Sequence, residues 1–241
     1  MDDFTENFIA GLPPIDGFLF KSGSPTIGFY NIKVYDKPVG SSVANRTSGI
    51  FARKILRHFP GYPIEDDQRL RNKKIRDEFM TRVFAFAGFS EAVEIGDSDA
   101  VRDFHERNRY LFMSYDYDAR EGLSYALAIE DYTGYSEKIK RLLGNSRTAA
   151  GLADTALLLF KRYEGRLSGE EIAWFRDLID KFLKNKVSRD GLLEPLEMFA
   201  VRMSDWQIAD RTLFSPYPRE LIQDVDEDLD RDYQKAMRIP G

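Results

Sequence analysis

The spacing of apolar positions changes twice within the first ninety residues. DGFLFK, residues 16–21, has the short apolar run of a buried strand, and GFYNIKVYD, residues 28–36, alternates Phe29, Ile32 and Val34 imperfectly before Asp36-Lys37-Pro38 ends it. Between them KSGSPTIG, residues 21–28, is a cluster of turn formers. The spacing then becomes helical. SGIFARKILRHF places Ile50, Phe51, Ile55, Leu56 and Phe59 on one face and closes at Pro60-Gly61, and IRDEFMTRVFAFA repeats the pattern with Ile75, Phe79, Val83 and Phe84. Both segments are expected to pack on the strands, and Gly88-Phe89-Ser90 is expected to connect onward.

Beyond residue 90 only helical patterns remain. Asp97 or Ser98 is placed to cap a helix carrying Val101, Phe104, Asn108, Leu111 and Phe112 on one face. Ser136 reads as the cap of a short helix through Leu143, and Ser168 with Glu171 forms a capping box opening a helix to about Lys184. ALLLFKRY and GLLEPLEMFAVRM read as two more helices, the second interrupted or begun near Pro195. The predicted fold class is therefore α+β followed by α: a small α/β N-terminal part at 1–90, an all-α helical domain at 91–221, and an acidic tail at 222–241.

Composition narrows the chemistry. A 241-residue chain that is 43% hydrophobic and 13% aromatic can fill a core. No apolar run approaches the roughly 18–20 residues of a membrane span, and the acidic start lacks a signal peptide's basic region, so a cytoplasmic protein without membrane contact is expected. Cysteine is absent, which rules out disulfides, thiolate nucleophiles and thiolate-held iron–sulfur clusters supplied by this chain alone. No cofactor or metal is expected: His58 and His105 are far apart, and DVDEDLDRD, which looks like a calcium loop, has Leu229 where the loop needs glycine and Lys235 where it needs glutamate.

The net charge is −5, unevenly spread: Arg46 to Arg82 holds ten basic against five acidic residues, and Asp224 to Asp232 six acidic against one basic. The first segment suits phosphates.

Several motifs carry a family resemblance. Ser24-Pro25-Thr26-Ile27-Gly28, Val34-Tyr35-Asp36, Gly49-Ile50-Phe51-Ala52-Arg53 and Glu65-Asp66-Asp67-Gln68-Arg69-Leu70 resemble, in order and spacing, the later part of the TudS-like desulfidase domain, over about residues 5–87. Phe104-His105, Arg107, Arg109-Tyr110-Leu111, Leu167-Ser168 with Glu170-Glu171, and Pro216-Tyr217-Pro218 with Glu220-Leu221 resemble the YbgA-like helical domain that often follows it. The pair implies descent shared with tRNA 2-thiouridine desulfidases, in which three cysteines hold an iron–sulfur cluster and one iron stays open for the substrate's sulfur.

This chain departs from that pattern. Ile27 stands where the turn's cysteine is expected, and the family's first half, with its other cysteines, is expected ahead of Met1. Ser114-Tyr115-Asp116 replaces Ala-His-Ser, and Asp154 with Leu158 replaces an Asn-x-x-x-His pair.

Three groups of residues are candidates for contact with RNA or another anion. Lys21, Ser22 and Ser24 sit in the turn; Arg46, Arg53, Lys54 and Arg57 form a basic set in which Arg53, Lys54 and Arg57 share one side of a helix; Arg69, Arg71, Lys73 and Lys74, with Arg76, crowd the segment after it. In the helical part His105, Arg107 and Arg109 form a polar constellation, with His105 and Asp116 as candidate acid–base groups. Trp206 and the aromatic stretch at 216–218 read as packing.

The expected function is a non-redox, non-catalytic accessory protein that contacts tRNA or another RNA, or a protein partner, and that self-associates or is covered through surfaces left by the absent half-domain. The alternatives are a cluster-free enzyme using His105 and nearby polar groups, and a subunit completing a desulfidase whose cysteines come from another chain.

Overall fold

The computed structural model describes residues 2–30, 32–35 and 43–222. Among them the chain is mostly helical, with ten α-helices and two ladders of two strands each. Asp36-Lys37-Pro38, the side chain of Arg46, and the acidic tail with its calcium-like loop lie outside the described residues.

Helix α1 (Asp2–Ala10) leads into β1 (Phe18–Phe20). β2 (Ile32–Tyr35) pairs antiparallel with β3 (Val43–Thr47), and β1 pairs parallel with β4 (Ile64–Asp66) across α2 (Ile50–His58). Phe20, Ala52 and Ile55 are buried together, flanked by Phe18, Phe29, Phe51 and Phe59. β1 and β2 flank the turn as the pattern predicts. The turn closes on α2: Gly49 donates its N–H to the Gly28 carbonyl at 2.7 Å, and a Cβ on Gly49 would lie 2.2 Å from the Thr26 carbonyl oxygen. Only glycine allows that approach.

Helix α3 (Lys73–Glu94) departs from expectation. It runs unbroken through Gly88-Phe89-Ser90, with the Phe104 ring packed against the helix at Gly88 and the hydroxyl of Ser90 donating to Asp16 at 3.0 Å. Its partners are mainly helical: Phe89 meets Phe104 and Tyr135, and Phe84 meets Tyr217, while Phe86 meets Tyr62 from the strand region.

The longest buried run belongs to α4 (Ser98–Tyr115), capped by Asp97, whose side chain accepts from the Asp99 N–H. Val101, Phe104, Leu111, Phe112 and Tyr115 enter one core with α5 (Ala119–Ala128) and α6 (Tyr132–Gly144); Tyr110 and Met113 enter a second with α7 (Ala149–Phe160), α8 (Gly169–Leu183) and α9 (Arg189–Arg202). One helix thus lies between two cores, which is why its polar Asn108 and His105 are also buried.

The box at Ser168 and Glu171 is present with both reciprocal hydrogen bonds, at 3.2 and 2.7 Å. Ser136 is not a cap: α6 begins at Tyr132 behind Asp131, which accepts from Gly134 at 2.8 Å. Pro195 lies inside α9, which starts behind Ser188; having no N–H, it forfeits the bond to the Gly191 carbonyl. After α10 (Trp206–Ala209) the chain returns to α3, where Tyr217 donates to Asp77 at 2.8 Å. Trp206, expected in a core, keeps 57% of its surface exposed.

The first half of α3 is tied to the helical part by two ion pairs and a hydrogen bond. Arg189 meets Asp77 at 2.6 Å, Arg147 meets Glu78 at 3.0 Å, and Arg76 donates to the Leu221 carbonyl at 3.3 Å. No helix among the described residues is long and apolar enough to cross a membrane.

Candidate functional site

The turn residues are engaged within the fold. The ammonium of Lys21 pairs with Asp67, whose other oxygen accepts from the Ser22 N–H at 2.9 Å; these bonds hold the Asp67 carboxyl well below the usual carboxylate range. Ser24 Oγ accepts from the Ile27 N–H at 3.2 Å, and the Ile27 side chain remains 37% exposed. The turn is therefore a closed hydrogen-bonded unit whose apolar tip faces outward.

The basic segment divides. Lys54 turns to Glu6 on α1 at 2.9 Å, Arg69 grips Glu65 through two bonds at 2.7 and 3.2 Å, and Lys73 lies 3.5 Å from Asp190. Arg53, Arg57, Arg71 and Lys74 are exposed and pair with no described residue. Lys54 is thus engaged by Glu6, while Arg53 and Arg57 on the same helix make no such pair with a described residue.

His105 and Arg109 open onto a cleft of about 390 Å³ between α4, α5 and α7, lined also by Glu106, Arg120 and Arg162. A second hollow of about 470 Å³ adjoins it, sharing Arg162 and adding Arg166 and Asp205. Two of the arginines are braced. Arg109 donates to Glu106 at 3.0 Å and to the Tyr110 hydroxyl at 2.5 Å, its guanidinium lying 4.5 Å from that ring's centre. Arg162 donates twice to Asp205, at 3.0 and 3.3 Å. Arg120 and Arg166 are exposed and pair with no described residue. Four arginines against two carboxylates leave the paired hollows cationic.

The His105 ring is fixed by Nδ1, 3.0 Å from the Tyr135 hydroxyl. Burial lowers its pKa below the ordinary histidine value and so favours the neutral imidazole. Asp116 caps the other end of α4 and accepts from the Asp118 N–H at 3.0 Å. Eleven residues of helix separate it from His105 by about 16 Å, too far for the two to share one reacting atom.

Sequence reasoning found His105 and Arg109 but not Arg120, Arg162 or Arg166, which lie on α5, on the turn after α7, and farther on. Only the charge of each was visible.

Residues 109–218 match the family model described as a protein of unknown function, DUF1722. That span holds all four arginines of the paired hollows, while the resemblance of residues 5–87 rests on their motifs alone. No curated protein and no solved structure matches the chain.

Proposed function

We propose that this protein is a non-catalytic RNA-binding accessory protein, related through both of its parts to the two-domain tRNA desulfidases, and that the hollows of the helical part grip the sugar–phosphate backbone. The division at about residues 90 and 221 belongs to the same reading. The observation that carries it is the convergence of Arg109, Arg120, Arg162 and Arg166 on two adjoining hollows. Glu106 and Asp205 hold two of these guanidinium groups in place, and the two unpaired ones are free to meet phosphates. Trp206 follows Asp205 directly, and its exposed ring offers a base a surface for stacking, an interaction worth about 1–3 kcal/mol.

The test is tRNA binding by fluorescence anisotropy at 50 and 200 mM salt. Each phosphate contact contributes about 0.7–0.9 to the slope of log K against log salt, so the Arg120→Ala/Arg166→Ala variant is expected to bind more weakly with a slope smaller by about 1.4–1.8. Arg53→Ala/Arg57→Ala serves as the comparison for the basic segment. No binding by the unaltered protein at 50 mM, or equal affinity and slope in the cleft variant, would sink the reading.

A further inference from the structure

One polar cluster lies apart from the arginine hollows, where α3 meets the end of α4 and the start of α7. Glu78, Thr81 and Arg82 occupy one face of α3 at helical spacing. Glu78 gives one carboxylate oxygen to Arg147, accepting at 3.0 and 3.3 Å, and its other oxygen is buried without a well-formed hydrogen bond, with the Tyr115 hydroxyl nearby. The Arg147 guanidinium lies 5.1 Å from the centre of the Tyr115 ring.

Four further buried atoms here have no hydrogen-bond partner: Thr81 Oγ1, Arg82 Nε, Tyr115 OH and Arg147 Nη1. Thr81 is fully buried, Tyr115 is 6% exposed and the Arg147 side chain 7%. An orphaned polar atom in such a setting costs about 1–3 kcal/mol, and native folds leave few of them.

The charge is unbalanced too. Arg82 stands four residues from Glu78, an ideal spacing for an ion pair, yet makes no hydrogen bond or ion pair with any described residue. Arg147 also lies 3.7 Å from Asp77, which Arg189 meets at 2.6 Å, so the guanidinium groups of Arg82, Arg147 and Arg189 face two carboxylates and one positive charge is in excess beside two hydroxyls. Burial disfavours the charged form of both groups, lowering the Arg82 pKa and raising that of Tyr115, so the Tyr115 hydroxyl keeps its proton as a donor. Water can fill empty hydrogen bonds but cannot neutralise a charge.

We infer that this cluster is a binding site for the oxyanion of a small molecule, a phosphate or carboxylate held by Arg82 and the free Arg147 nitrogen with the Tyr115 and Thr81 hydroxyls donating. The second Glu78 oxygen accepts from a hydroxyl or amine elsewhere on the same molecule. Partial exposure of Glu78, 24% at the side chain, gives access from solvent. The site is independent of RNA binding in the arginine hollows.

Thermal unfolding of the full chain, dialysed into anion-poor buffer, tests it against three probes: inorganic phosphate, acetate and a ribonucleoside 5′-monophosphate. A saturable rise of Tm by several degrees is expected with at least one of them. The rise should disappear in Arg82→Gln and shrink in Tyr115→Phe, but persist in Arg120→Ala/Arg166→Ala. The probe with the largest shift identifies the source of the oxyanion. Without any probe, Arg82→Gln should melt at or above the temperature of the unaltered protein, because it removes an uncompensated charge. No shift with all three probes, an equal shift in Arg82→Gln, loss of the shift in the hollow variant, or a strongly lowered Tm of Arg82→Gln alone would each overturn the inference.

Discussion

Arg147 and Glu78, 69 positions apart in the chain, meet at 3.0 Å where α3 joins the helical core. With Arg147 almost wholly buried, removing the carboxylate leaves a cation with little water around it. Glu78→Gln is expected to cost about 3 kcal/mol, and the double variant Glu78→Gln/Arg147→Met to recover more than half of that. Urea unfolding with an unchanged m-value is the measurement; a loss below about 0.5 kcal/mol would show the pair to be incidental.

His105 makes a prediction about pH. Its folded-state pKa is lowered by burial, so between that lowered value and the unfolded value of about 6.5 the unfolded chain binds more protons. The stability it contributes is therefore present above about pH 6.5 and lost as the pH falls. His105→Asn, which keeps a polar group near the Tyr135 hydroxyl, should flatten the stability profile between pH 5 and 7 relative to the unaltered protein. Parallel profiles would show that protonation of His105 has no share in it.

Ser168→Ala removes the hydroxyl that accepts from the Glu171 N–H at the start of α8. A loss of about 1 kcal/mol is expected. Glu171→Ala should lose a similar amount, and more where its 2.6 Å contact with Arg202 adds to the capping bond. Chemical denaturation of the two single variants and the double variant reads the coupling.

Phe4 is 68% exposed and Leu19 60%, and β1 pairs only with β4 among the described residues. An apolar surface beside an open strand edge favours association. Light scattering at tens of micromolar should show a species larger than one chain, and Phe4→Asp/Leu19→Lys should return it to monomer. A monomer at that concentration for the unaltered protein is the contrary result.

Much of the helical part was legible because the forces that start a helix act within four residues. Asp97 and the pair Ser168 and Glu171 could be placed from the chain alone, as could the buried face of α4. α5 was missed: Gly122 and the exposed Tyr125 and Ile129 blur its apolar stripe. β3 and β4 were missed as well, since strands of five and three residues hold too few positions to show a period. Gly88 looked like a break because glycine weakens a helix locally, whereas in the structure its neighbour Phe89 packs on Phe104 and Tyr135, long-range contacts that the chain alone does not show.

The chain by itself determined the helical character of its second part, the absence of thiolate chemistry of its own, and the presence of many arginines. Which of those arginines act together was decided by the tertiary structure. Lys54 and Arg69 are drawn to Glu6 and Glu65, whereas Arg109, Arg120, Arg162 and Arg166 converge on one pair of hollows. The physical reason is that a charge is either spent or left available by neighbours that packing brings from distant positions. Glu78 shows both outcomes at once, with one oxygen bound to Arg147 and the other without a well-formed hydrogen bond although Arg82 lies only four residues away.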